Sequence, residues 1–435
     1  MHVVTRFPPS PTGFFHIGSA RTALFNYLFA ASEGGTMYLR FEDTDRERSK
    51  KEYEEDILAG LDWLGISYSL ASPLRQSEKT DEYRSHLHAL IEKGFAYEAE
   101  EAEGGGGKVI RFKNPNVRIT FPDLIRGEVS FDTTELKDFV IARNADSPLY
   151  HLTVVVDDRD QGVTHVIRGE DHVSNTQRQI LILEALGFER PHYAHMPLIL
   201  APDKSKLSKR HGAISVNEYR AQGYLPEALV NYLALLGWNP GTEQEIFSLP
   251  ELIKQFDLAK IHKSGAIFDI EKLRWLNRQH MSRMDQGHFV DEVLRRVPSW
   301  NKPMAEKIIQ LIRERISVWS DLDAVKDELD FFFNEPSPDP SKIPGKGSDA
   351  KTAKKHLAEI RKLLEATLRD EMMTSEGIKD ILWGYAEAEG KGAVLWPMRY
   401  ALTGRERSPD PFTVAAIIGK DTSLNRIDTA RRALE

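Results

Sequence analysis

The sequence predicts an α/β fold: a parallel sheet with helices on both faces, an inserted α+β segment, and an all-helical region after it. Strand-like and helix-like patterns alternate along the first part of the chain, as they do in parallel sheets. Strand-like pieces then follow one another between about 95 and 143 without long helices between them. From about residue 301 onward only helical periodicity remains.

The composition is that of an ordinary globular protein. The chain has 435 residues, a net charge of −8 and no Cys. Without Cys it can form neither a disulfide nor a thiolate metal site. No apolar run is long enough to span a bilayer and the chain opens directly as a strand, so we expect a cytoplasmic protein without a signal peptide. The negative charge argues against indiscriminate nucleic-acid binding but allows a local basic face.

The stretch Arg6–Ser19 is the most distinctive segment of the chain. A short strand, Val3–Thr5, precedes it and a helix running to Ala30 follows. The first N–H groups of a helix are unpaired and favour anions. His16 can donate a hydrogen bond to a phosphate there, and Gly18 leaves room for a base or ribose. Alone, this H-x-G pattern is equally compatible with a surface histidine in a turn.

A second strand, Met37–Asp43, leads into an acidic turn and a helix over 51–64. Ligands of parallel α/β sheets bind beyond the carboxyl ends of the strands. The proline-rich turn 8–18 and Glu42 both follow such strand ends. We therefore expect them to share one crevice.

The middle of the chain reads as an insertion into the sheet, after which the sheet resumes. The predicted elements are, in order, a helix over 82–94, a flexible loop over 98–108, strands over 108–113, 127–131 and 138–143, sheet strands over 149–158 and 165–172, a helix over 174–187 capped by Ser174 or Asn175, and helices over 226–236 and from 268.

The tract 198–212 reads as a strand that runs into a basic loop with Lys206, Ser208, Lys209 and Arg210. A basic run of this kind is usually a solvated loop. Together with the H-x-G turn, it resembles the paired ATP loops of class I aminoacyl-tRNA synthetases, and the first motif is similar to that of the glutamyl-tRNA synthetase branch. In that family the lysines meet the negative charge that develops on departing pyrophosphate.

The resemblance implies a role for each residue that matches the family motifs. Catalysis would depend on His16, Gly18, Lys206 and Lys209. ATP would be bound by Pro8, His16, Gly18, Ser19, Asp171, Leu207, Ser208, Lys209 and Arg210. Glutamate would be bound by Arg6, Ser10, Glu42, Tyr150, Arg168 and His172.

Charge supports this amino-acid site. Glutamate carries two carboxylates and one ammonium, and arginine pairs carboxylates bidentately. Glu42 would take the α-ammonium, and Arg168 the side-chain carboxylate. The alternative is a set of structural ion pairs at strand ends. Because sites built on such pairing discriminate strongly without editing, we expect no proofreading domain.

The resemblance covers nearly the whole chain, including segments 150–158, 168–172, 223–228, 268–275 and 395–404. It implies a Rossmann-type catalytic domain over 1–225 with an inserted acceptor-stem-binding subdomain over about 66–148, a helical stem-contact domain over 226–300, and an all-helical, bacterial-type anticodon-binding domain over 301–435. Some family members bind zinc through Cys in the inserted subdomain. Here that region contains Tyr97–Glu100 and no Cys, so we predict no zinc site. The insertion is also short, which leaves open how the tRNA end is held.

The predicted function is ATP-dependent ligation of L-glutamate to tRNA(Glu) by a monomer, with Mg²⁺ on the phosphates. Two alternatives stay open: the same chemistry on tRNA(Gln), and small-molecule nucleotidylyl transfer, which shares the H-x-G turn. The helical tail argues against the second, and against the truncated relative that glutamylates a tRNA base. The retained His16, Lys206 and Lys209 argue against a non-catalytic tRNA-binding paralogue.

Basic residues in the C-terminal region are candidates for tRNA contact. Arg315 and Arg399 are the candidates for anticodon reading. Two basic clusters could form a wider face: Lys351, Lys354, Lys355, Arg361 and Lys362 on one helix, and Arg399, Arg405, Arg407, Lys420, Arg426, Arg431 and Arg432 further on. In each case the alternative is a solvated helix surface.

Overall fold

The computed structural model describes residues 2–69, 73–100, 107–205, 207 and 214–435. The chain forms two compact units, Met1–His280 and Met281–Glu435. The first unit is mixed α/β, and the described residues of the second are helical or irregular. The predicted fold class is therefore confirmed.

The first unit contains the strands and the first group of helices. The strands are β1 Val4–Phe7, β2 Thr36–Phe41, β3 Leu74–Arg75, β4 Ala96–Glu100, β5 Lys108–Phe112, β6 Arg118–Asp123, β7 Gly127–Asp132, β8 Phe139–Ala142, β9 His165–Gly169, β10 His192–Met196, β11 Ile199–Leu200 and β12 Ala266–Ile267. The helices are α1 Ile17–Ser32, α2 Lys51–Trp63, α3 Thr80–Glu92, α4 Tyr150–Asp160, α5 Val173–Leu186, α6 Val216–Ala221, α7 Pro226–Leu235, α8 Leu249–Gln255 and α9 Ile270–Arg283, whose last three residues belong to the second unit.

The strands that position the site run parallel. β1 pairs with β2, and β2 pairs with β3. β10 pairs in parallel with β9 and with β6, and β7 joins β6 in the antiparallel sense. β9 begins beside β1, because the N–H of Thr164 donates to the carbonyl of Val4 at 3.0 Å. The carboxyl ends of β1, β2 and β9 therefore meet at one edge, where α/β sheets bind ligands.

The strand predicted over 149–158 is wrong, because these residues lie in helix α4. Its β-branched Val154–Val156 run favours a strand by propensity. Every residue from Leu152 to Asp157 is buried, however. A segment buried all round lacks the periodicity that separates a helix from a strand. Tyr150 consequently stands in the first turn of a helix.

The inserted segment forms an antiparallel sheet in the order β4-β5-β8. The flexible loop predicted over 98–108 is partly wrong, since Glu98–Glu100 belong to β4 and Lys108 begins β5; residues 101–106 lie outside the described residues. Strand β6 was not predicted, although its buried Ile119, Phe121 and Asp123 alternate with exposed residues. Its Pro122 argued against a strand, because proline is rare inside sheets.

A continuous apolar core joins this segment to the helices around it. It includes Leu87 of α3, Phe112 of β5 and Ile180 of α5, all at most 1% exposed. The predicted Ser174 or Asn175 cap of α5 is wrong. The cap position is His172, whose side chain does not bond the helix end, because a short turn over 170–172 leads directly into the helix.

The second unit is a set of helices, most of them joined by short connections. They are α10 Gln286–Arg296, α11 Lys302–Lys307, α12 Ile309–Arg315, α13 Leu322–Glu328, α14 Ala350–Thr367, α15 Ser375–Glu389, α16 Lys391–Thr403, α17 Pro411–Ile418 and α18 Lys420–Ala433. Polar side chains cap five of these helices by accepting backbone N–H groups: Asp285, Asn301, Asp349, Thr374 and Asp410. A longer connection over 329–349 separates α13 from α14.

Candidate active site

The proline-rich turn after β1 is bonded to the segment after β2. The N–H of Glu42 donates to the carbonyl of Pro9, and that of Lys50 donates to the carbonyl of Pro11, both at 3.0 Å. Ser10 lies between these two contacts and is exposed. The turn and Glu42 therefore share one edge of the sheet, as the sequence predicts.

His16 caps helix α1 with its imidazole. Its Nδ1 accepts the N–H of Ser19 at 3.2 Å, and its Nε2 lies 3.2 Å from the Ser19 hydroxyl. Because Nδ1 accepts, a neutral ring carries its proton on Nε2. A Cβ at Gly18 would lie 3.1 Å from His16 Nδ1. The histidine ring thus lies where a side chain at position 18 would begin.

Two buried arginines converge on Asp158. Arg6 donates through Nε to Asp158 at 3.2 Å and through Nη1 to the carbonyl of Ile167 at 3.4 Å. Arg40 reaches Asp158 at 2.9 Å through Nη1 and Glu42 at 3.2 Å through Nη2. Arg6 and Arg40 are at most 1% exposed. The acids and arginines at these strand ends therefore form one network that includes both predicted residues, Arg6 and Glu42.

Burial dominates the electrostatics of this network. It raises the pKa of Glu42 from 4.5 to about 7, although Arg40 and Arg6 act in the opposite direction. It lowers the pKa of Arg6, partly offset by Asp158. For Asp158 the balance is reversed: burial raises its pKa, but Arg6 and Arg40 outweigh burial and hold that pKa below its ordinary value. Asp158 is thus the ionised partner of the two arginines, and Glu42 is the acid that titrates near pH 7.

Arg168 ends β9 and is 6% exposed. Its Nε lies 3.1 Å from Nε2 of His195, and its Nη2 donates to the hydroxyl of Thr176 at 2.8 Å. Nearby, the Tyr150 hydroxyl lies 3.1 Å from Nδ1 of His172. These contacts hold Arg168 in one orientation at the same sheet edge.

The predicted glutamate-binding residues lie close enough to influence one another's charge. Burial raises the pKa of Tyr150; Arg168 and Arg6 lower it and Glu42 raises it. Burial, followed by the charge of Arg168, lowers the pKa of His172 to about 4. The structure therefore brings five of the six predicted residues together, with exposed Ser10 on the adjoining turn.

The basic loop falls largely outside the described residues, which exclude Lys206, Ser208, Lys209 and Arg210. Its one described predicted residue is Leu207, which is half-buried and whose N–H donates to the carbonyl of Ile199 at 3.1 Å.

The chain that follows the loop is bonded to the H-x-G turn. Ser215 forms an antiparallel bridge with His16, and the N–H of Val216 donates to the carbonyl of Phe15 at 2.8 Å. Asp56 of α2 ties the same two segments. Its Oδ2 accepts the N–H of Phe15 at 2.6 Å, and its Oδ1 accepts from Nδ2 of Asn217 at 2.7 Å. Ser215 and Val216, which follow the loop, therefore lie beside His16 and Phe15.

Comparison with known proteins agrees with this geometry. Residues 2–104 and 98–275 match the family described as tRNA synthetases class I (E and Q), catalytic domain, and residues 287–431 match an anticodon binding domain. The chain is 41% identical to the glutamate–tRNA ligase 1 of Rubrobacter xylanophilus, over 99% of this chain and 98% of that protein. The chain belongs to the class I tRNA synthetase family.

Other similar proteins cover the full length of this class I synthetase. The glutamate–tRNA ligase 1 of Alkalilimnicola ehrlichii is 40% identical over 98% of this chain and 97% of its own. A crystal structure of a glutamate tRNA ligase from Elizabethkingia meningosepticum in complex with its amino acid aligns with a TM-score of 0.88. That alignment has 32% identity and covers 100% of both chains.

Sequence reasoning missed several residues that shape the site of this synthetase. Arg40 lies in β2 and Glu42 directly follows that strand. Side chains two residues apart on a strand point to the same face, so this spacing could have indicated an ion pair. Asp158 stood within a segment that resembles the family, but no role followed from the resemblance. No sequence pattern marked Asp56 and His195 as site residues, because their partners are distant in sequence and are brought near only by folding.

The remaining predicted ATP-binding residues lie near the turn or at the sheet edge. Pro8 is half-buried in the proline-rich turn, and half-buried Ser19 lies in the first turn of α1. Asp171 is exposed in the short turn that precedes α5.

The predicted tRNA-facing arginines of the second unit make local contacts. Arg315 donates to the carbonyl of Leu311 at 2.8 Å, one turn earlier on α12. Arg399 donates to the carbonyl of Glu406 at 2.9 Å and lies 4.7 Å from the Trp396 ring centre. Their role in anticodon reading stays a prediction.

Many cations of the predicted basic clusters are paired with carboxylates, and one of them, Arg426, is buried. On α14, all but one of the five cations form ion pairs with carboxylates: Lys354 with Glu435, Lys355 with Glu389, Arg361 with Glu365 and Asp428, and Lys362 with Glu359. Arg426 is only 6% exposed and donates to the carbonyls of Leu402 and Phe331. It is therefore a structural residue of the helical unit.

Two further findings concern the described residues alone. Within them, no group of three or more His, Asp or Glu side chains is arranged to hold a metal ion. None of their helices combines the length and the apolar character needed to cross a membrane. The absence of zinc remains a prediction.

Proposed function

We propose that this chain ligates L-glutamate to the 3′ end of tRNA(Glu) in two steps. The α-carboxylate of glutamate attacks the α-phosphate of ATP, which yields glutamyl-adenylate and releases pyrophosphate. The terminal ribose hydroxyl of the tRNA then attacks the carbonyl of the adenylate and releases AMP. The main support is the meeting of Arg6, Glu42 and Arg168 beside the H-x-G turn, in a family whose similar members are glutamate–tRNA ligases.

The amino-acid pocket uses charge to recognise glutamate. Glu42 receives the α-ammonium, and Arg168 receives the side-chain carboxylate through charge-assisted hydrogen bonds. Arg6, Ser10 and Tyr150 complete the pocket, and His172 borders it.

The ATP site is formed by the H-x-G turn and the basic loop. His16 and Gly18 face the nucleotide at the start of α1, and Lys206 and Lys209 stabilise the charge that develops on pyrophosphate. Mg²⁺ enters with ATP, on its phosphates. Most of the rate then comes from positioning the carboxylate against the α-phosphate and from this charge stabilisation.

The remaining assignments concern the domains, the tRNA contacts, the oligomeric state and the cellular location. A catalytic domain over 1–225 contains the acceptor-binding insertion at about 66–148, a stem-contact domain covers 226–300, and an anticodon-binding domain that uses Arg315 and Arg399 covers 301–435. Activation requires bound tRNA, and the protein works as a cytoplasmic monomer.

The test is glutamate-dependent ATP–pyrophosphate exchange by purified protein in the presence of tRNA(Glu). We expect exchange with wild type and a loss on the order of a hundredfold in Lys209→Ala, because a donor to developing charge is removed. Lys204→Ala is the matched control, since Lys204 is an exposed lysine of the same segment before the motif.

Exchange at the wild-type rate by Lys209→Ala would remove the role of the basic loop. No exchange by wild type with either tRNA(Glu) or tRNA(Gln) would overturn the proposed function.

A further inference from the structure

A buried chain of hydrogen bonds runs from Asp123 through His195 to Arg168. Nδ1 of His195 lies 2.5 Å from Oδ2 of Asp123, and Nε2 of His195 lies 3.1 Å from Nε of Arg168. The His195 and Asp123 side chains are both 0% exposed. Asp123 is itself fixed, since its Oδ1 accepts the backbone N–H groups of Ile125 at 3.0 Å and Arg126 at 2.8 Å.

These contacts determine which nitrogen of His195 carries the proton. The Asp123 carboxylate is an acceptor, so Nδ1–H of His195 donates to it. Arginine can only donate, so Nε2 must accept from Nε of Arg168. Both requirements are met only by the neutral ring protonated on Nδ1. A proton on Nε2 would place two donors face to face.

The guanidinium of Arg168 is thereby fixed along two sides. Its Nε bonds His195, and its Nη2 donates to the hydroxyl of Thr176, which is 0% exposed. Within the described part of the chain, Nη1 of Arg168 has no hydrogen-bond partner and is not among the fully buried unpaired atoms. Nη1 is therefore the group that a ligand can reach.

We propose that His195 and Asp123 are positioning residues that hold Arg168 in the orientation that recognises the side-chain carboxylate, and that they thereby set the preference for glutamate over glutamine. This inference rests on the proposed function, in which Arg168 binds that carboxylate.

Fixing the arginine matters because glutamine differs from glutamate by one donor in place of one acceptor. An arginine held rigidly keeps its Nη1 donors directed at both oxygen positions of the carboxylate, so the amide NH₂ of glutamine meets a donor and loses a partner. An arginine free to turn can bond the amide oxygen alone. Loss of the His195 contact should therefore weaken glutamate binding and relax the discrimination together.

Three substitutions separate this role from simple packing. His195→Asn keeps a donor near Asp123 but removes the acceptor for Arg168. His195→Gln places an amide oxygen near the former Nε2 and restores that acceptor. Asp123→Asn keeps the side-chain volume. The oxygen of the asparagine would accept the backbone N–H groups, so its NH₂ would face Nδ1 of His195. Nδ1 must then accept, and the ring proton moves to Nε2. His192→Asn, an exposed position on the same strand, is the control.

The readout is steady-state charging of tRNA(Glu) with glutamate and with glutamine, with KM measured separately for glutamate, ATP and tRNA. We expect His195→Asn and Asp123→Asn to raise the KM for glutamate roughly tenfold to a hundredfold, with the KM for ATP and tRNA near wild type. The glutamate-to-glutamine ratio of kcat/KM should fall in both. His195→Gln should recover part of each loss, and His192→Asn should match wild type.

Two results would overturn the inference. One is a folded His195→Asn or Asp123→Asn protein with an unchanged KM for glutamate and an unchanged ratio. The other is an equal rise in all three KM values, with no recovery in His195→Gln, which is the pattern of a packing role. If His195→Asn does not fold, Asp123→Asn and His195→Gln decide by the same criteria. A wild-type protein that charges no tRNA would refute the proposed function, and the inference with it.

Discussion

Burial and charge act on Glu42 in opposite directions. Its side chain is 8% exposed, and burial raises its pKa to about 7 against the pull of Arg40 and Arg6. An ordinary carboxylate would be ionised throughout the physiological range. In the free protein, Glu42 is instead divided between its neutral and ionised forms near pH 7. Because an ammonium pairs only with the ionised form, glutamate binding must compete with a proton.

The expected consequence is a pH-dependent KM for glutamate. The ionised fraction of Glu42 grows as the pH rises through about 7, so the KM should fall with rising pH and level off above. Below about pH 6 the rise in KM should approach tenfold for each pH unit. Glu42→Gln removes the titrating group, so its KM should be high and nearly independent of pH. A wild-type KM that stays constant between about pH 6 and 8 would contradict the assignment of Glu42.

Residue types and strand ends were enough to single out Arg6, Glu42 and Arg168 as candidates, because charged residues at carboxyl strand ends are conspicuous in a sequence. Their partners were not predictable. Asp158 lies on a helix that reads as a strand, and His195 approaches Arg168 only through the register of β9 and β10, in which the two residues are paired. Such contacts depend on tertiary pairing, which the local pattern does not contain.

At the level of elements, helix α2 links the two segments that we propose to bind ATP. Each oxygen of Asp56 accepts one hydrogen bond, from Phe15 beside His16 and from Asn217 beyond the basic loop. Gly60, one turn later, lies against the Phe15 ring, since a Cβ there would come within 2.5 Å of it. The helix therefore sets the distance between the H-x-G turn and the segment that ends the loop.

We expect Asp56→Ala to slow adenylate formation. Alanine has no side-chain acceptor, so both segments lose their bond to the helix, and a misplacement of about 1 Å can cost on the order of a hundredfold in rate. The kcat of ATP–pyrophosphate exchange should fall at least roughly tenfold, with the KM for glutamate near wild type. Asp62→Ala on an exposed position of α2 is the control. An Asp56→Ala protein with the kcat and thermal midpoint of this control would rule out the link.

The helix type was predictable where one face of the helix is exposed, and it failed for α4, which is buried along most of its length. Helices α2 and α3 keep a regular apolar stripe and lie within two residues of their predicted bounds. Helix α4 does not, because its buried valines favour a strand by propensity while the surrounding core imposes a helix. Strand β6 was missed for the opposite reason. Its Pro122 disfavours a strand by propensity, but pairing with β7 and β10 makes the segment a strand.

Over the whole molecule, the predicted residues divide between the two units. Those proposed for glutamate and ATP lie in unit 1, and those proposed for the anticodon lie in unit 2. The order of an α/β region followed by helices was evident from the sequence, since strand patterns end well before the last third of the chain. The pairing of the α14 cations was not, because the carboxylates that pair with Lys354, Lys355 and Arg361 lie far along the chain. Charge clusters in a sequence therefore overestimate the basic surface of a helical unit.

The most direct test of the proposed function is charging of purified tRNA(Glu) and tRNA(Gln), side by side, with labelled L-glutamate and ATP. We predict ester-linked glutamate on the 3′ end of tRNA(Glu), with one AMP and one pyrophosphate released for each glutamate attached. Label on tRNA(Gln) as well would extend the same chemistry to a second acceptor. Absence of label from both tRNAs, by a folded protein supplied with Mg²⁺ and ATP, would contradict the account.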